Sequence, residues 1–171
     1  MIEHLQKFFE SRYPGVVRRS GEFRGDWSFW IPGESLLDIC NALKNDPELQ
    51  VKLLADVTCV DWLDHPEGND GRFEIVYNLY SLKHKFRFFL KVNVSAEKPE
   101  VPSLTPIWNG ANWTEREVYD LFGIIFVGHP KLEKLLTPDE LDGHPLRRDY
   151  PLTYEVPHFS WNKNDPPEVL R

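Results

Sequence analysis

The amino-acid sequence predicts a two-layer α+β domain with one mixed sheet, followed by an extended proline-rich C-terminal arm. Three observations carry this. Apolar residues through 1–126 switch between helical and alternating periods, in the order α-β-β-α-β-β-β-α. The 171 residues are 41% hydrophobic and 27% charged, as in globular proteins, and a chain this long buries roughly 70% of its extended surface. Seven of the 14 prolines then fall between Pro130 and the end.

The elements follow in order. Ile2, Leu5, Phe8 and Phe9 recur at helical spacing until Pro14-Gly15 stops them. Val16–Ser20 and Trp27–Ile31 read as paired strands joined through Gly21 and Gly25. Ser35 and Asp38 suggest a capping box for a second helix, with Leu36, Cys40 and Leu43 as its buried stripe and Asp46-Pro47 as its end. Val51–Val60 is apolar on both faces, which predicts a central strand. A polar loop spans 65–71. Phe73–Leu79 and Phe86–Val94 alternate and read as a hairpin across Ser81–His84. A helical turn is expected at Pro106–Gly110. A last helix then has Thr114 and Glu117 as a capping box, Trp113 and Val118 as a hydrophobic staple and Gly123 as its exit.

Composition excludes several classes. The longest unbroken apolar stretch, Leu121–Val127, is far short of the about 20 residues of a membrane span. Met1-Ile2-Glu3-His4 lacks the layout of a secretory signal. A net charge of −7 argues against nucleic acid as a partner. Two cysteines, Cys40 and Cys59, cannot supply the four thiolates of an ordinary iron–sulfur site, and both read as core residues. Neither a nucleotide phosphate loop nor a G-x-S-x-G elbow is present.

Domain organisation follows from the change after Phe126. Residues 1–126 form the domain and 127–171 the arm, since proline breaks both helix and sheet ladders. The arm still carries Leu132, Leu135, Leu136, Leu141, Leu146, Tyr150, Tyr154, Phe159 and Trp161 as apolar anchors. Stretched out, Pro145–Arg171 reaches up to about 90 Å, against a domain diameter of about 30 Å. Such an arm either folds back on its own domain or lies on a partner.

The densest polar constellation is Glu115-Arg116-Glu117 with Asp120, then Gly128-His129-Pro130, Gly143-His144-Pro145 and Arg147-Arg148-Asp149. His129 and His144 stand 15 positions apart, each before a proline, so metal-ligand spacing is not supported. A Gly-His-Pro unit reads as a rigid turn whose imidazole bonds a backbone carbonyl. Glu115 and Glu117 do not share a helical face, whereas Glu117 and Asp120 do. That like-charged pair asks for cations, and Arg147 and Arg148 are expected to supply them, pinning the arm by ion pairs. The alternative is a solvated charged face.

The run EREVYDLFGIIFVGHP, Glu115–Pro130, and DGHPLRRDYPL, Asp142–Leu152, resemble the 30-kDa subunit family of respiratory complex I, in bacteria the C-type subunit of NADH-quinone oxidoreductase. LLADVTCVDW, Leu53–Trp62, is similar to that family's central strand. The likeness covers roughly residues 35–160, with Lys134 and Leu141 where the family usually has arginine and tryptophan. It implies a cofactor-free, non-catalytic subunit of the peripheral arm of a proton-pumping NADH:quinone oxidoreductase. FMN, iron–sulfur clusters and quinone would then sit on other subunits. It also implies a hetero-oligomer packed on the 49-kDa-type (D-type) subunit near the quinone site. The location would be the cytoplasmic side of the cell membrane, or the matrix or stroma side in an organelle, with membrane contact only through the complex. The matching positions, expected to shape and dock the arm, are Glu115, Arg116, Glu117, Asp120, Gly128, His129, Pro130, Gly143, His144, Pro145, Arg147, Arg148, Asp149 and Pro151. Membrane-bound hydrogenases and plastid NDH-type complexes share this module. An autonomous enzyme built on the Glu/His/Arg cluster is the contrasting reading, and it requires those groups in one pocket.

Overall fold

A computed structural model gives the architecture and describes residues 1–65 and 71–152. Tyr154, Phe159 and Trp161 of the expected arm, and most of the expected loop at 65–71, lie outside the described residues.

Helix α1, Ile2–Arg12, buries Leu5, Phe8 and Phe9. Strands β1, Arg19–Phe23, and β2, Asp26–Trp30, form a hairpin. Its turn is Arg24-Gly25, both at positive φ (54° and 90°), rather than a connection from Gly21 to Gly25. Phe23 pairs with Asp26 across this two-residue loop, the geometry that suits the twist of a hairpin. The first strand therefore starts three residues later than its apolar content suggests, and Val16 and Val17 are a half-buried lead-in.

A 3₁₀ turn, Gly33–Ser35, leads into α2, Leu36–Asn45. The expected capping box is not formed: Ser35 is itself in the helical region, and its side chain caps nothing. Leu36, Ile39, Cys40 and Leu43 are buried, and Asp46 turns to extended backbone before Pro47. Strand β3, Leu53–Asp61, runs antiparallel to β4, Phe73–Ser81, which forms a hairpin with β5, Phe86–Val94. The sheet order is β1-β2-β5-β4-β3, mixed because β2 and β5 are parallel.

The sheet order corrects the expectation that 51–60 is central, because β3 is an edge strand. A bulge between Leu54 and Asp56 shifts its phase, so Leu54 and Val57, three apart, are both buried. An apolar run in both phases thus reads as two-sided burial but is one-sided with a bulge.

Helix α3, Ala111–Phe122, starts three residues before the expected cap. Thr114 lies inside it and donates from Oγ1 to Ala111 O, so no capping box forms. Trp113 is 59% exposed and does not staple onto buried Val118. The preceding turn supplies the start instead, with Ile107 and Trp108 N–H on Leu104 O. Gly123 ends the helix at φ 74°, as expected. Two three-residue strands without a sequence signal, β6 (Glu100–Pro102) and β7 (Ile125–Val127), pair in parallel. Strand β7 runs across position 126, the boundary that composition suggests between domain and arm.

Side chains of all three helices join one core with Phe29, Val57, Cys59, Phe73, Ile75, Tyr77, Leu79, Phe88, Leu90 and Val92 from a single face of the sheet. Among the described residues no helix is long and apolar enough to cross a membrane.

Leu43→Ala is expected to cost about 2–5 kcal/mol by leaving a cavity, whereas Leu37→Ala on the outer side of the same helix costs less than about 0.5. Denaturant titration of the two variants checks this contrast.

Candidate functional site

An α-helix leaves its last four carbonyls without helical partners. In α3 these belong to Tyr119, Asp120, Leu121 and Phe122. The N–H of Gly123 donates to Tyr119 O at 2.8 Å. The other three acceptors are taken by the chain beyond β7. His144 Nδ1 donates to Asp120 O at 2.8 Å, Leu146 N–H to Leu121 O at 3.1 Å, and Arg147 Nε to Phe122 O at 2.6 Å. The Arg147 guanidinium also lies over the Phe73 ring, 5.2 Å from its centroid. A cation at a helix C-terminus is favoured by the helix dipole. Any Cβ at Gly123 would overlap His144 and Arg147, so this glycine is required by packing as well as by its positive φ.

The same segment is held earlier along the helix. Asp120 Oδ2 accepts the N–H groups of Leu135, Leu136 and Thr137 at 2.9, 2.7 and 2.9 Å, and Oδ1 accepts Thr137 Oγ1–H. Burial would raise this carboxyl's pKa, but the four donors hold it below the ordinary aspartate value. Arg116 donates to the carbonyls of Glu133 and Lys134. His129 accepts Lys131 N–H at Nδ1, which places its proton on Nε2, and Nε2 donates to Asn112 O at 3.2 Å.

A third tie lies at the sheet edge. Arg72 donates to both oxygens of Asp61 and to both of Asp149, and Arg148 N–H donates to Asp61 Oδ2 at 3.0 Å. Burial opposes the ionisation of Asp61, yet these bonds and Leu63 N–H keep its pKa lowered.

Both Gly-His-Pro imidazoles bond backbone carbonyls, as read from the sequence. Gly128 and Gly143 sit at φ 86° and 84° in the flanking turns, Pro145 is half-buried, and Pro130 and Pro151 are exposed. The ion-pair expectation is corrected. Asp120 binds backbone N–H groups, Glu117 faces solvent, Arg147 takes a carbonyl, and Arg148 bonds through its backbone. Backbone donors win because Asp120 is fully buried, where three aligned N–H groups satisfy a carboxylate without burying a second charge. Asp61, Arg72, Phe73 and Thr137 belong to the site without any sequence signal. Their partners lie up to 87 residues away in sequence, and no local pattern marks them.

Glu115 points elsewhere. Its carboxyl is fully buried, with Oε2 accepting Ser103 Oγ–H and Oε1 accepting Leu104 N–H, both at 2.6 Å. Burial pushes its pKa up to about 7, against the lowering effect of those two bonds. His129 and His144 bond carbonyls eight residues apart on α3, about 12 Å along its axis. The glutamate, histidine and arginine groups therefore do not converge on one pocket. Among the described residues no three His, Cys, Asp or Glu side chains are grouped to hold a metal ion.

The fold and site define an α+β module with a C-terminal strap tied along its last helix. The chain belongs to the family described as respiratory-chain NADH dehydrogenase, 30 Kd subunit, whose model matches residues 29–156. It is 46% identical to the C-type subunit of NADH-quinone oxidoreductase from Roseiflexus sp. (strain RS-1), over 88% of this chain and 84% of that one. Among solved structures it resembles the trypsin-resistant fragment (1–134) of Nqo5, with TM-score 0.68 and 35% identity over 77% of this chain and 98% of that chain. A membrane-bound sulfane sulfur reductase, an archaeal respiratory membrane complex, contains a chain with TM-score 0.70 and 25% identity, over 88% of this chain and 86% of that one.

Two variants test the ties. Asp120→Asn removes the charge that orders residues 135–137, so stability should fall by about 2 kcal/mol, with new trypsin cleavage at Lys131 or Lys134. Glu117→Gln should change neither. Stability should also vary with pH. The folded pKa of Glu115 lies above its unfolded value, so its contribution is full below pH 4.5 and is lost as pH rises through about 7. Asp61, Asp120 and Asp149 are shifted down, so their contribution is present at neutral pH and lost in the acid range. Thermal melts should therefore peak at mildly acidic pH. Glu115→Gln should remove most of the decline toward neutrality, up to about 3 kcal/mol. An unchanged pH profile in that variant would refute this.

Proposed function

We propose that this chain is a non-catalytic, cofactor-free scaffold subunit in the peripheral arm of a proton-pumping NADH:quinone oxidoreductase. It sits on the cytoplasmic side of the membrane, or the matrix or stroma side in an organelle, and touches the membrane only through the complex. Its arm packs on the 49-kDa-type subunit that helps form the quinone site, while FMN, iron–sulfur clusters and quinone are held by other subunits. One observation carries the reading: residues 133–149 direct hydrogen-bonding groups inward to α3 and the sheet edge, while Leu136 and Leu146 remain exposed. The other arm leucines, Leu132, Leu135 and Leu141, are half-buried, so the arm is packed on its domain and still displays Leu136 and Leu146 to solvent. The likeness to a chain of the archaeal sulfane sulfur reductase complex supports a second reading, the same module in a related membrane-bound respiratory complex.

The test is affinity capture of the tagged chain from gently solubilised membranes, with partners identified by mass spectrometry. A 49-kDa-type subunit together with iron–sulfur subunits is the expected result, and the rest of the partner set separates the two complexes. Recovery of the chain alone, from the soluble fraction, would count against both.

A further inference from the structure

The two edges of the sheet differ in how they are protected. At β3 the bulge between Leu54 and Asp56 shifts the ladder, and the strap reaches the end of the strand through Arg148 N–H on Asp61. Strand β1, at the opposite edge, pairs with β2 in unbroken register from Arg19 to Phe23. It contains no proline and no bulge, and four of its five residues are exposed. Its outward backbone N–H and C=O groups are therefore open to another strand, an arrangement that proteins normally block.

The side chains beside this edge are an independent observation. Phe29, Phe88 and Leu90 enter the core, so Ser28, Trp30, Phe89 and Lys91 point to the sheet face that carries no helix. Across the strands Arg19 stands opposite Trp30, and Trp30 opposite Lys91; Gly21 stands opposite Ser28, and Ser28 opposite Phe89. The small pair Gly21 and Ser28 leaves an open trough of about 510 Å³, walled by Trp30 and Phe89 and bordered by Phe23, which is 72% exposed. The Trp30 wall is fixed in place. Its Nε1–H donates to buried Glu74 at 2.7 Å, and Lys91 Nζ donates to the same carboxylate at 2.9 Å. Lys91 and Arg19 each lie 4.7 Å from the indole centroid. Glu22 accepts Gly25 N–H, and Asp26 pairs with Arg87. Arg18, Arg19 and Arg24 form no ion pair among the described residues, so this edge is locally basic in a chain of net charge −7.

We propose that β1 is the docking edge for an extended, acidic segment of a neighbouring subunit, which joins the five-stranded sheet as a further strand. The segment places a large apolar side chain in the trough over Gly21 and, two residues along, a carboxylate against Arg19. Backbone hydrogen bonds along the edge supply affinity, while the trough and the guanidinium select the sequence. This rests on the scaffold reading above and concerns the sheet edge remote from the strap.

The test is amide hydrogen exchange along β1, resolved by residue, in the full chain alone and in the complex captured through its tag. The β1 amides that do not bond β2 should exchange more than about tenfold more slowly in the complex. Slowing at alternate residues marks strand addition, since a partner that only covers side chains offers these amides no acceptors. Two variants are then compared in the same way. Gly21→Leu fills the trough; a Cβ there meets only Trp30 Cζ3, at 3.8 Å, so the fold should hold. Arg19→Glu reverses the charge of an exposed residue. Melting temperatures of both isolated variants should match the wild type, and this is checked first. Each variant should lose the protection of the outward amides by about tenfold or more. If the wild-type β1 amides exchange alike in both states, or if either variant keeps the protection, this inference is wrong while the scaffold reading stands. If the tagged chain captures no partner, the scaffold reading fails, and this inference with it.

Discussion

Helix α3 ends against the rest of the protein, and its last carbonyls must be satisfied there. Gly123 turns the chain left-handed and takes the first of the four. The remaining three receive a histidine N–H, a backbone N–H and an arginine N–H from residues 144–147. The arm is therefore the C-terminal cap of the helix as much as an appendage. Each such bond contributes only about 1 kcal/mol net, since water serves the same carbonyls when the arm leaves. Their sum, with the Asp120 and Arg72 ties, is comparable to a sizeable part of a domain's whole stability. The strap is consequently tied to the domain as far as residue 149, beyond the composition boundary at 126.

Two carboxyls on this helix show how donor count and depth of burial together set the preferred charge state. Asp120 and Glu115 are both fully buried. Burial opposes the ionised form of each. Asp120 meets four donors, including three successive backbone N–H groups, and stays ionised. Glu115 meets two, and burial outweighs them. A protonated Glu115 also fits its neighbours, because Ser103 Oγ can then accept from it while donating to Thr105 Oγ1, 2.8 Å away. The same helix thus carries one group that favours neutral pH and another that opposes it.

The parts of the fold legible in the sequence are those written in local periodicity. Leu5, Phe8 and Phe9, the α2 stripe, and the β4–β5 hairpin are fixed by apolar spacing and appear where that spacing puts them. The helix starts are not legible, because Ser35 and Thr114 match a capping pattern while nearby 3₁₀ and turn geometry begins each helix by backbone bonding. Nor is the edge position of β3, because its bulge hides one-sided burial from a two-residue period. At the site, the turn-forming role of Gly-His-Pro is legible since glycine, imidazole and proline each constrain the chain locally. The partners of Asp120, Arg147 and Asp149 are not, because a carboxylate or guanidinium in a sequence says that it needs a partner and not which one. Opposite charge is the natural expectation; backbone N–H and C=O groups, which nearly every residue carries, are the partners of two of the three.

The prolines of the strap fit this arrangement. Pro130, Pro138, Pro145 and Pro151 bring no N–H, so the strap has fewer donors left over after its inward bonds are made. Their fixed φ also narrows the unbound ensemble of the segment, which lowers the entropy lost when it is tied to α3. A strap made instead of a regular strand would present a row of unpaired donors and acceptors along its outer edge and would invite pairing with any other exposed strand. An irregular, proline-interrupted strap presents side chains outward, and recognition then depends on which side chains those are. Leu136, Leu146 and the acids between them make no inward tie through their side chains, because those ties use backbone atoms and the side chains of Thr137, His144 and Arg147. The fold therefore separates the groups that hold the strap from the groups the strap displays.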